Sequence, residues 1–142
     1  MLKKSSIWIM FSLYLFLLIY LLFFSAYRQT VHGQLSYNFI PFKELVDEWN
    51  SIDAFHLSVL TNNLFGNILA FMPMGFFIPF LSKKQSFIKI VILSFLLSCS
   101  IELLQLFFYI GVCDINDTLL NAIGGGLGYC VYAVYSTLFR RV

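Results

Sequence analysis

The sequence predicts an all-α integral membrane protein. It should have four transmembrane helices and a short outer amphipathic helix between the first and second. Three observations predict this. The 142 residues are 60% hydrophobic and only 11% charged, whereas soluble domains run at about 45–50% apolar and about 25% charged. The mean hydropathy is +0.84. The apolar residues fall into four runs, each close to the roughly 20 residues that cross an apolar layer of about 30 Å. Within such a layer the backbone must satisfy its own hydrogen bonds, which makes the runs helices. No period-2 alternation points to a barrel.

The first run, residues 7–27, carries no charge. Its length exceeds the apolar core of a secretory signal, roughly 7–15 residues, and "FFSAYRQ" is a poor small-x-small cleavage site. It is expected to remain as an anchor. The second run, 60–81, is interrupted by Asn62, Asn63, Asn67, Pro73 and Pro79, and Gly75 between the two prolines suggests a kink. The third, 87–110, holds Lys89 near its start and Glu102 inside. The fourth, 118–139, contains Asn121 and a glycine cluster. Between the first two spans lies the one long loop. There Phe42, Leu45, Val46 and Trp49 recur at i, i+3, i+4 and i+7 behind Pro41, with acids and Lys43 opposite. That is an amphipathic helix suited to the outer interface or the bundle mouth.

Lys3, Lys4, Lys83, Lys84, Lys89, Arg140 and Arg141 fall on one side of a four-span chain, and only Arg28 and Lys43 on the other. The positive-inside rule then places both termini in the cytoplasm of a multi-pass cell-membrane protein. The basic residues read as topology signals, so nucleic-acid binding is not expected despite the net charge of +2.

This orientation gathers the polar groups near the outer leaflet. Asn63 and Asn67 lie early in span two, Glu102 and Gln105 late in span three, and Asn121 early in span four. Asp114 and Asp117 lie in the turn between the last two. Ser98, Glu102 and Gln105 share one helix face, as do Asn63 and Asn67. A charged residue at a helix centre costs roughly 2.5–3.5 kcal/mol on insertion scales, so such groups face the bundle interior and mark function. The expectation is an outward polar cavity lined by Asn63, Asn67, Glu102, Gln105, Asp114, Asp117 and Asn121. Glu102 is the candidate catalytic group should there be chemistry. The bland reading is helix–helix glue, and it applies most to Asn67, Gln105 and Asn121.

The glycines of 124–128 lack the Lys-Ser/Thr of a phosphate loop. Gly124-x-x-x-Gly128 fits close helix packing instead, and Pro73 and Gly75 are also assigned to helix packing. Asp114 and Asp117 are thin candidates for a divalent metal and equally suit the start of the fourth helix. No cofactor is expected. Cys99 and Cys130 read as packing residues mid-membrane. Cys113 reads as an outer thiol, free or cross-linking two chains.

Four stretches resemble the VanZ-like family of small bacterial membrane proteins. They are "YNFIPFKEL", "NNLFGNILAFMPMGFFIPFL", "SIELLQLF" and "DINDTLLNAIGGGLGY", in that order between Asn38 and Tyr129. Family members often carry an Arg about three residues before the first Asp, where this chain has Gly111. The resemblance implies an association with lowered susceptibility to teicoplanin-type glycopeptides. One reading is an envelope factor that binds a membrane lipid or a lipid-linked cell-wall precursor, with homo-oligomerisation open. The alternative is a membrane enzyme acting on a lipid-linked substrate in the outer leaflet, with Glu102 as acid or base. A small transporter is a third reading.

Overall fold

The computed structural model describes residues 4–24, 37–41, 54–82, 85–111 and 113–139; for 54–63 it describes the backbone alone. The elements run α1 (Lys4–Phe23), β1 (Tyr37–Asn38), α2 (Ala54–Leu81), α3 (Phe87–Phe107), β2 (Cys113–Asp114) and α4 (Ile115–Phe139). It is an all-α membrane protein apart from one two-residue strand pair. Four helices are long and apolar enough to cross a membrane. The sequence at 42–53, where the outer amphipathic helix was expected, lies outside the described residues.

Each span differs from its apolar run at an end, and the end of α3 and the start of α4 have a local cause. α1 ends at Phe23, and the residues after Phe24 lie outside those described. α2 begins at Ala54, six residues before the expected start at residue 60. α3 stops at Phe107 although 108–110 are apolar. Tyr109 takes a φ of 56°, its N–H donates to the Leu106 carbonyl at 3.2 Å, and the Ile110 N–H donates to the Gln105 carbonyl at 3.0 Å. This is a Schellman termination, here with a tyrosine at the left-handed position usually held by glycine. α4 begins at Ile115 rather than residue 118, because the Asp114 side chain accepts the Asn116 N–H at 2.8 Å and caps it. Asp117 is therefore in the first turn of α4 and not in the preceding turn.

α2 and α4 run parallel and form the most intimate pair. A Cβ placed on Gly124 would strike the Ile68 carbonyl, one on Gly128 the Met72 carbonyl, and one on Gly75 the Gly125 carbonyl. Without those Cβ atoms the two backbones approach far more closely than ordinary side chains allow. α3 crosses the other side of α4 antiparallel to it, with Ser94 against Gly125. α4 is thus the central helix, and its glycines serve two neighbours. α1 lies outermost and leaves Leu13, Phe16 and Ile19 exposed, as a lipid-facing helix does. Its attachments are few and specific. The Tyr14 hydroxyl donates to the Ala70 carbonyl at 2.8 Å, and the Phe11 and Phe77 rings sit 6.1 Å apart. Ala70 adjoins Leu69, whose carbonyl has no helical donor because Pro73 lacks an N–H.

The two ends of the bundle differ. One end carries a cluster of edge-to-face rings: Phe80 meets Tyr132 at 4.8 Å and Tyr135 at 5.5 Å. The described cations, Lys4 and Lys89, lie in the first turns of α1 and α3 at that same end. The opposite end holds the carboxyl groups.

Candidate functional site

The polar end is built around Asp114, the last residue before α4. β1 pairs with β2 in parallel, setting Tyr37 opposite Cys113 and Asn38 opposite Asp114. The Asn38 amide donates to Asp114 Oδ1 at 3.4 Å, the same oxygen that caps α4. The Asp114 backbone N–H donates to Glu102 Oε2 at 3.1 Å. Glu102 is 5% exposed, on the inner face that α3 also makes from Ser94, Ser98, Ile101 and Gln105. That face repeats every three or four residues, which is why one side of α3 is polar and its other sides are greasy.

The remaining expected residues join neighbouring helices. The Asn67 amide of α2 donates to Asp117 Oδ1 of α4 at 2.6 Å. The Asn121 amide of α4 donates to Ser98 Oγ of α3 at 2.8 Å. The Gln105 amide of α3 donates to the Leu22 carbonyl of α1 at 2.8 Å. Asn63 belongs to the backbone-only stretch. The seven residues expected around one cavity are therefore distributed. Glu102 and Asp114 together line an opening of about 160 Å³ with Phe39, Cys99, Cys113 and Thr118. Asn67, Gln105, Asp117 and Asn121 do not line it. Ser94 Oγ, Gln105 Oε1 and Asn121 Oδ1 are buried with no hydrogen-bond partner among the described residues.

Sequence reasoning left Asn38 and Cys113 out of the polar set. Asn38 was hidden because nothing in its neighbourhood shows that a two-residue strand will pair with residues some 76 positions away. Cys113 is 7% exposed and free, so it is not an outward thiol placed to cross-link two chains. Burial first, and then the Glu102 and Asp114 carboxyls and Cys99, push its thiol above the usual range. Cys130, read as a packing residue, is exposed on α4. Among the described residues no group of three or more His, Cys, Asp and Glu side chains is placed to hold a metal ion. The Asp114 and Asp117 side chains each accept from an asparagine amide.

Four apolar helices and an interior seam of carboxyl and amide groups confined to one end define a multi-pass membrane protein with a polar terminus. Residues 11–139 match the family model described as VanZ/LLP1, and the chain belongs to that family. Protein VanZ of Enterococcus faecium is 27% identical over 123 residues, a stretch that covers 87% of this chain and 71% of that relative. No solved structure matches the chain.

Proposed function

We propose that this protein is a cell-membrane factor whose polar end faces outward and contacts the head of a membrane lipid or lipid-linked cell-wall precursor. By doing so it alters the access of teicoplanin-type glycopeptides to the membrane surface. Both termini lie in the cytoplasm, as the distribution of Lys and Arg favours. Family membership and the similarity to Protein VanZ support the antibiotic link that the resemblance implies. One observation carries the reading most. Glu102, Asp114 and Asp117 collect at a single end of an otherwise apolar bundle, and Glu102 and Asp114 border an opening. Ionisable groups kept at membrane depth in spite of their insertion cost point to function.

The enzymatic reading draws less support. Cys99, Cys113 and Thr118 line the opening beside Glu102, and the Cys113 thiol is pushed up, away from the thiolate that a nucleophile needs. The test is drug susceptibility in a sensitive Gram-positive host, with wild type and Glu102→Gln matched for membrane level. The wild type should protect against teicoplanin more than against vancomycin, and Glu102→Gln should lose that protection. Equal protection by both chains would remove Glu102 from the function. No protection by the wild type would end the antibiotic reading.

A further inference from the structure

A groove of about 640 Å³ runs between α3 and α4 in the membrane-spanning part of the bundle, and its lining is apolar. It exists because Ala122 and Gly126 form a low floor between the taller walls of Phe87, Phe95, Ile123 and Leu127. Its volume lies within the roughly 300–1,000 Å³ of small-molecule sites. The groove is collinear with the smaller opening that Glu102 and Asp114 help to line. On α3 the residues 87, 91 and 95 line the groove, and 99 and 103, continuing the same i+4 stripe, line the opening. On α4 the residues 119, 122 and 126 line the groove, and 115 and 118, one turn earlier, line the opening. From 119 to 130 the helix rises about 16 Å at about 1.5 Å per residue.

We propose that this seam is a binding site for a single long aliphatic chain, with its head at Glu102 and Asp114. This rests on the lipid-binding reading above and narrows it. The head is a hydrogen-bond donor, an amine or sugar hydroxyls, rather than a phosphate. The polar atoms at the mouth are carboxyl oxygens, which accept hydrogen bonds and attract positive charge. An apolar groove that runs on to two carboxyl-bearing residues at one end gives a chain with a donor head a place for each part.

The test uses the full chain in phosphatidylcholine nanodiscs. The probes are a long-chain primary amine with a diazirine in its tail and the carboxylic acid of the same chain. Photolabelled residues are mapped by mass spectrometry. The amine should label the stripe around Val91, Phe95 and Ile123 roughly tenfold more than the acid does. Leu127→Trp should cut that labelling by a similar factor. Leu127 is 45% exposed, so the larger ring fills the groove from the lipid side and leaves the helix contacts intact. Glu102→Gln combined with Asp114→Asn should erase the preference for amine over acid. Labelling of the exposed face of α1 to the same extent as the stripe would overturn the proposal, as would indifference to Leu127→Trp. The antibiotic assay separates the two ideas. Stripe labelling without drug protection leaves the groove standing and ends the antibiotic reading. Drug protection without stripe labelling does the reverse.

Discussion

Asp114 joins three parts of the chain at once: it caps α4, accepts from Asn38 of β1, and donates its backbone N–H to Glu102 of α3. Each bond taken alone is modest, since interhelical hydrogen bonds in membranes average about 0.6 kcal/mol. Their convergence is what closes the polar end. Cys113, the neighbouring residue, reports on the charge there. A thiol raised above the usual value of about 8.5 holds its proton longer, so less thiolate is present at any given pH. Iodoacetamide should therefore modify Cys113 more slowly in the folded protein than in the unfolded chain at pH 8, and the folded rate should keep climbing above pH 9. Glu102→Gln removes a carboxyl that raises this thiol, so it should shift the profile toward lower pH. A profile that does not move would mean that Glu102 carries no charge felt at Cys113. The sequence placed Glu102, Asp114 and Asp117 in one slab because depth follows from position along a span. It did not pair them, because the pairs depend on side-chain reach across helices and on a strand contact distant in sequence.

At the scale of elements, the α2–α4 contact separates one kind of glycine from another. Gly128, Gly124 and Gly75 are each blocked by a backbone carbonyl of the facing helix, and backbone cannot rotate aside. Gly66, also in α2, has nothing within 4 Å of where its Cβ would be. Gly128→Ala should lower the unfolding free energy by about 3 kcal/mol, the upper part of the usual overpacking range. Gly66→Ala should be neutral, or stabilising by up to about 1 kcal/mol through helix propensity. Unfolding in mixed detergent, followed by circular dichroism, measures both, and similar values for the two would refute the close contact. The Gly124-x-x-x-Gly128 spacing was readable in advance. That Gly125 and Gly126 serve α3 rather than α2 was not, because a run of three glycines contains no information about which neighbour each one meets. Helix ends were the weakest part of the sequence reading for a related reason. Hydropathy is blind to the tyrosine at 109 that ends α3 and to the aspartate at 114 that starts α4.

Across the described residues, basic side chains mark one end of the bundle and carboxyl groups the other. This polarity was legible from the positions of the charged residues relative to the apolar runs, because insertion rules act on charge and hydropathy summed over segments. The groove between α3 and α4 was not legible, since a recess arises from small residues on one helix facing large ones on another. The proposed effect on antibiotic access requires the Asp114 end to face outward. The most direct measurement is the sidedness of single cysteines in intact cells, with Cys99, Cys113 and Cys130 replaced by serine. Ile40→Cys and Ser82→Cys both place the new thiol at an exposed position, at opposite ends of the bundle. A membrane-impermeant maleimide should label Ile40→Cys in intact cells and Ser82→Cys only after permeabilisation. Labelling of Ser82→Cys in intact cells, with Ile40→Cys protected, would put the carboxyl end in the cytoplasm and contradict an outward site.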